Sequence, residues 1–450
     1  MPQLISFARA VPEFMSGKRT PRQFLEECLE TLAAREPEVK AFVTLNLDAA
    51  RAAADLSTER YRAGRPLSMM DGCPVGIKDI MDTSDMPTQM GSALFAGWQP
   101  RYDAACVQAL RNAGAVIVGK TVTTEFACGG PGATTNPHDA KRTPGGSSSG
   151  SAAAVGAGML PVALGTQTQG STLRPASYCG VIGFKPTHGA LPMSGVHPIS
   201  STHDHLGVLG ATLADTWRAA SHLALAIGSP GQPLLDGASA ELPAPVKPRR
   251  LIHLHTRGWL EIDTATSEAF AALAARLKQA GVEIVSRDNN NDVAALETAF
   301  DEEFITRSVD ITAYEMKWPY AQYVQRYGER VIQRVRDRIA KAATMTPDYY
   351  ASLLAEKAAM RARFDAVAQG ADGFITLAAS GPAPVGLEHT GSRAFLVFAT
   401  FLGIPAFSLP LMTVAGLPLG LQLIGRQGRD GALCGVAHWL MGEISANGSG

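Results

Sequence analysis

Gly145-Gly146-Ser147-Ser148-Ser149-Gly150-Ser151 opens a stretch that continues through Ala152–Gly158 and the apolar Met159–Leu164. It ends at Gly165-Thr166-Gln167-Thr168-Gln169-Gly170-Ser171. No charged side chain lies between Arg142 and Arg174, although charged residues make up 18% of the chain. Glycine is concentrated here too: 14 of the chain's 45 glycines fall within residues 119–189. A flexible Gly/Ser linker would not run on into an apolar segment such as Met159–Leu164. The composition instead fits a buried site, where Gly and Ser let the backbone approach a small molecule closely. Backbone N–H groups then supply donors without net charge. Ala152–Met159 reads as a helix packed by its small face.

Outward from this window the pattern is α/β. Pro74–Ile77 is a short apolar run that ends at Lys78. Asp103 is placed to cap a helix reaching Asn112, Gly114 closes it, and Ala115–Val118 is β-rich. Arg250–His255, Thr264–Gln279 and Val282–Val285 spell a strand, an amphipathic helix and a strand, a βαβ unit. Phe374–Leu377, Ala406–Leu409 and Leu419–Ile424 are further strand candidates. The first 60 residues look helical: Thr20-Pro21 is a cap with proline at the first helical position, and Phe24, Leu25, Cys28, Leu29 and Leu32 follow at helical spacing. Residues 293–370 also look mostly helical. With no repeats, charge blocks or Pro-rich linker, the expectation is one α/β domain over 1–450. It has an N-terminal helical region at 1–65 and a helical excursion at 290–370, expected near the entrance of the site.

The 40 basic and 41 acidic side chains nearly cancel. A nucleic-acid groove or an anionic membrane as main partner would leave a basic excess, so neither is expected. Six scattered cysteines without a C-x-x-C pair read as reduced thiols rather than a disulfide framework or zinc site. No signal peptide or membrane-length apolar run is apparent, which points to a cytoplasmic protein.

Several chemistries can be tested on the window. A phosphate loop would need lysine where Ser151 stands. Gly146-Ser147-Ser148-Ser149-Gly150 matches the G-x-S-x-G elbow, but Asp139–Pro144 before it does not look like the required strand. His203-Asp204-His205 resembles a triad or metal fragment, yet strand neighbours point to opposite faces and no second ligand cluster is evident. Lys78 is the other candidate base. Desolvation at the end of an apolar run lowers a lysine pKa and frees its amine to accept a proton near neutrality. The alternative is that Lys78 simply pairs with Asp79 or another carboxylate.

Gly76-Ile77-Lys78-Asp79, Asp85–Ser92, Gly114–Thr121, Thr143–Ser151, Gly165–Pro175, Gly180–Thr187 and Gly416–Arg426, in this order, resemble the amidase signature family. The resemblance is dense over 70–210 and thinner over 370–440. It implies a large twisted mixed β-sheet flanked by helices on both faces. It also implies a Ser-Ser-Lys triad: Lys78 as base, Ser147 as a bridging serine whose peptide bond is cis in the family, and Ser171 as nucleophile. Backbone N–H groups of Thr168, Gln169, Gly170 and Ser171 would form the oxyanion hole, with no cofactor or metal. Substrate contacts would come from Met86, Gln89, Met90, Gly146 and Ser148, and from the Tyr320–Tyr327 and Ser380–Ser392 regions. Those Met and aromatic side chains favour a hydrophobic or aryl substrate.

The chain departs from the family pattern at Gln169, where glycine is usual, at Gln167, where aspartate is common, and at Ser149, where glycine stands. None removes a triad member. The expected activity is hydrolysis of a small carboxamide through an acyl-Ser171 intermediate; carbamates (a urethanase reaction) and esters are also compatible. Two alternatives stand beside it: the glutaminase subunit of a tRNA-dependent amidotransferase, and a catalytically silent binding protein on the same scaffold. The sequence is compatible with a homodimer and does not fix the oligomeric state.

Overall fold

The computed structural model describes residues 2–228, 235–300 and 303–446. Its strands, in chain order, are β1 (Phe42–Leu45), β2 (Pro74–Lys78), β3 (Val116–Thr121), β4 (Val162–Gln167), β5 (Ile182–Lys185), β6 (His205–Gly210), β7 (Arg250–His253), β8 (Glu283–Val285), β9 (Gly373–Leu377), β10 (Ala406–Val414) and β11 (Leu417–Ile424). They form one sheet of eleven strands in the order β1-β3-β2-β4-β6-β5-β10-β11-β9-β7-β8. β3-β2-β4 and β8-β7-β9 are parallel, and the remaining pairs are antiparallel. This is the α/β mixed sheet that the sequence implies.

Because side chains alternate across a strand, one strand can feed two cores. Val116 and Val118 enter one apolar cluster and Ile117 the other; Ala163 and its neighbours Val162 and Leu164 divide the same way. Helices therefore cover both faces. The helix Pro21–Val39 begins as expected, with Thr20 accepting from Gln23 N in a capping box. Thr264–Gln279 is a helix over the bounds read from sequence, and its flanking β7 and β8 are parallel. Helices Asn291–Ala299, Glu303–Glu315, Lys317–Tyr327, Gln333–Ala343 and Pro347–Ala368 make up the helical excursion.

Three local readings need correction. The first 60 residues are not all helical: Phe42–Leu45 is an edge strand pairing with Gly119–Thr121. Asp103 does not cap the helix Ala105–Asn112; its carboxylate accepts from Ser84 N at 2.7 Å and Arg111 Nε at 3.0 Å instead. The small-residue helix spans Ser149–Gly156, starting three residues earlier than Ala152. The early start is permitted by Gly150, where a Cβ would lie 2.2 Å from Ala41 O and 2.4 Å from Val122 N. A larger residue there would hold the helix off the sheet.

All six cysteines are free thiols. Among the described residues, no helix is long and apolar enough to cross a membrane, and no cluster of His, Cys, Asp or Glu could hold a metal ion.

Candidate active site

β2 and β4 run parallel side by side, and both reach the site with their C-terminal ends. Lys78 closes β2, and Thr166 and Gln167 close β4. Ligands in open α/β sheets commonly sit beyond such carboxyl ends. The Lys78 side chain is completely buried. Its Nζ lies 2.8 Å from Ser147 Oγ and 2.7 Å from Thr166 Oγ1. Burial pulls its pKa down to about 7, so near neutrality a large share of the amine is unprotonated.

Asp79 does not compete for this lysine. It pairs with the buried Lys120, whose Nζ is 3.2 Å from its carboxylate and also donates to Met81 O and Thr88 Oγ1. A low pKa alone does not mark a base: burial also brings Lys185 and Lys357 down to about 7. Those two donate to backbone carbonyls, of Ile404 and Pro186 and of Thr202 respectively. Lys78 differs because it faces a serine.

The Gly146–Ser147 peptide bond is cis. Arg174 Nη2 donates to the Gly146 carbonyl at 2.6 Å, fixing this peptide from the side of the next helix. Gly145 has φ of +79°, and a Cβ there would lie 2.9 Å from Pro175 Cα, so only glycine fits the approach. Ser148 N donates to Ser171 O at 3.3 Å, tying the two serine-bearing segments together. Ser147, Thr168, Gln169, Gly170 and Ser171 all line one cavity of about 410 Å³, within the range of small-molecule sites.

The loop after β4 is pinned from below. Gln167 Oε1 accepts from Thr172 N at 3.0 Å and Leu173 N at 3.1 Å, capping the helix Leu173–Cys179, while its Nε2 donates to Thr400 Oγ1. A neutral amide thus serves as acceptor where aspartate is common in the resembled family. Thr168 Oγ1 donates to Asp204 at 2.6 Å, and the same carboxylate accepts from Ile199 N and Ser200 N. Burial pushes Asp204 up to about 6. His203 and His205 are fully buried, which pushes both imidazoles well below their ordinary range. His205 Nδ1 donates to the His203 carbonyl. That segment is a structural brace: its aspartate holds Thr168, and neither histidine bonds Lys78, Ser147 or Ser171.

The substrate side differs from expectation. Met86 and Met90 are buried in the core, and Gln89 accepts from Gly97 N. None of the three lines the cavity. Tyr320 is fully buried against Phe126, and Tyr323 stacks on Phe126 and His197. Tyr323 and Tyr327 line a separate hollow with Phe95 and Trp98. Ser148 is buried, exchanging hydrogen bonds with the Thr166 backbone, and Gly146 packs against Thr390 and Thr124. From the Ser380–Ser392 region, Thr390, Gly391 and Ser392 do line the cavity.

Sequence reading missed Thr166 and Arg174, and also Arg334, Arg338 and Arg393, which line the same cavity; Asp204 was singled out only as part of a triad or metal fragment. Arg174 was visible as the residue that ends the uncharged window. Gln333–Arg338 lies in the excursion expected near the entrance, but its arginines read as an ordinary basic helix face, and only the fold brings Arg334 and Arg338 to the cavity wall.

The Amidase family profile matches residues 23–434. A glutamyl-tRNA(Gln) amidotransferase subunit of Chloroflexus aggregans is 33% identical over 91% of this chain and 90% of its own. A solved amidase is 28% identical at a TM-score of 0.83, covering 98% of this chain and 100% of that one. The peptide amidase of Stenotrophomonas maltophilia is 25% identical at a TM-score of 0.79, covering 98% and 97%. With this fold and these matches along nearly its whole length, the chain belongs to the amidase signature family of amidohydrolases.

Proposed function

We propose that the chain hydrolyses the C–N bond of a small carboxamide through an acyl intermediate on Ser171. The observation that carries this reading is the buried Lys78, held 2.8 Å from Ser147 Oγ beside a cavity lined by Ser147 and Ser171. A hydroxyl is a weak nucleophile until its proton has an acceptor. As Ser171 Oγ attacks the amide carbon, its proton passes to Ser147, and the Ser147 proton passes to neutral Lys78. The carbonyl oxygen gains the negative charge, and N–H groups of the Thr168–Ser171 loop stabilise it. Collapse of the adduct expels the amine, which takes the proton back along the same route. Water then attacks the acyl ester, giving up its proton by the same relay, and releases the acid and free Ser171.

Treatment with a neutral fluorophosphonate followed by peptide mass spectrometry tests the assignment. The expected result is a single adduct on Ser171, with amide hydrolysis lost by several orders of magnitude in Ser171→Ala. Full activity in Ser171→Ala would refute the nucleophile.

A second reading, a glutaminase component of a larger assembly, is favoured by the names of the curated relatives. The two readings part on the isolated chain. A self-sufficient amidase turns over simple amides alone, whereas a dependent glutaminase stays silent until its partner proteins are added.

A further inference from the structure

Four arginines, Arg174, Arg334, Arg338 and Arg393, line the cavity that holds Ser171, and among the described residues Glu261 is the one acidic residue beside them. Among the described residues none of the four arginines makes an ion pair. Arg174 is 6% exposed and spends its Nη atoms on the oxygens of Gly146, Thr390, Gly391 and Ser392, leaving Nε unpartnered. It contributes fixed positive charge rather than a free fork. Arg334 and Arg338 lie at i,i+4 on the helix Gln333–Ala343 and so share a face. Arg338 has one Nη near Met316 Sδ at 3.7 Å. Arg393 donates one Nη to Gln169 Oε1 at 2.5 Å, and Gln169 Nε2 is buried without a partner. Gln169, the residue that departs from the family pattern, therefore ties a guanidinium to the loop beside the nucleophile.

Like charges crowded at a partly dry site repel one another, and arginine does not relieve this by losing its proton. Burial and the neighbouring arginines depress even Arg393, to about 9. Such an arrangement lowers its energy when an anion enters, and arginine forks match carboxylate oxygens in a bidentate manner. Among the described residues Glu261 makes no ion pair with any of the four and instead accepts from Ser380 Oγ; it is exposed, as is Arg334.

Resting on the hydrolase reading above, we propose that the substrate is an anionic amide, a carboxamide whose acyl part ends in a carboxylate held by Arg334, Arg338 and Arg393. A monoamide of a short dicarboxylic acid meets this description. Four lining arginines favour such a substrate over the hydrophobic or aryl amide expected from sequence, while Ile199, Ile305 and Ala394 supply the apolar part of the wall.

The test compares kcat/KM for succinamate, glutaramate and adipamate with neutral amides of the same shape, in which an isopropyl group replaces the carboxylate. At least one anionic member should exceed its neutral isostere by about 100-fold, with the ratio falling as salt is added. Arg338→Gln and Arg393→Gln should each cut that ratio roughly 10- to 100-fold. Because the ratio compares two substrates on one protein, partial unfolding does not move it. Glutamine, a zwitterion, should be the poorer substrate, since its ammonium meets the same guanidinium groups. A ratio near one in the parent chain, or one unchanged in both variants, overturns the proposal.

Calorimetric binding of glutarate separates this proposal from the hydrolase reading. If Ser171 is not labelled and no amide is cleaved, the hydrolase reading fails. Glutarate binding that is lost in Arg338→Gln would still support the anion site. Absence of glutarate binding at low ionic strength would refute it.

Discussion

Lys78 carries opposite consequences for stability and for rate. Its pKa falls from the ordinary 10.5 to about 7 on folding. Between those values the unfolded chain binds the extra proton and the folded chain does not. The Lys78 contribution to stability therefore rises with pH from about 7 towards 10.5, and below 7 its full cost is present. In Lys78→Met, the difference in Tm, variant minus parent, should shrink as pH is raised from 7 to 10. Lys185 and Lys357 shift in the same direction, but they are common to both proteins and cancel. The parent's kcat/KM should climb with pH along a limb centred near 7, because in the proposed relay the unprotonated amine is the acceptor. An absence of that limb in a pH–rate profile would remove Lys78 from the relay. Legibility at this scale was uneven. Lys78 could be singled out because it ends an apolar run, yet its choice of Ser147 over Asp79 depended on Lys120, which reaches Asp79 from the adjacent strand.

Among the elements, the helix Leu173–Cys179 decides where Ser171 sits, and Gln167 decides where that helix begins. Its two accepted bonds satisfy N–H groups that would otherwise be buried without partners. Gln167→Ala should lower stability by about 1–3 kcal/mol and reduce kcat more than it raises KM, since the Thr168–Ser171 loop, the proposed oxyanion hole, loosens while the cavity walls remain. Thermal denaturation and steady-state kinetics on the same preparation check both effects. Element boundaries were legible where periodicity was strong, as in Thr264–Gln279. They were not legible where short apolar runs lack a period. β4, β5 and β6 are buried along their whole lengths, so no polar alternation marks them as strands. β1 escaped notice because four residues between two helices carry too little pattern.

On the scale of the whole molecule, the sheet and the helical excursion meet at the cavity with unequal anchoring. β2 and β4 are completely buried, whereas only Val335 and Ala342 are buried in Gln333–Ala343. Hydrogen exchange should be slowest across Pro74–Lys78 and Val162–Gln167 and markedly faster across Gln333–Ala343, read by mass spectrometry of the intact chain. Equal protection of the two regions would contradict this division. The nearly neutral chain also conceals a polarised interior. Its 40 basic and 41 acidic side chains give no hint of a cavity lined by four arginines and one glutamate.

The sequence by itself determined the family and the serine-rich, glycine-rich frame. Glycines and small side chains are required wherever backbones touch, and that requirement is local enough to survive as a pattern along the chain. It also determined that the window brings no charge of its own. The tertiary structure alone decided which charges surround the window. Arg334, Arg338 and Arg393 lie far along the chain from Ser171, on a helix and a loop whose composition resembles any solvated surface. A side chain's electrostatic role depends on what is folded against it, and that information is carried by contacts between distant segments rather than by any one of them.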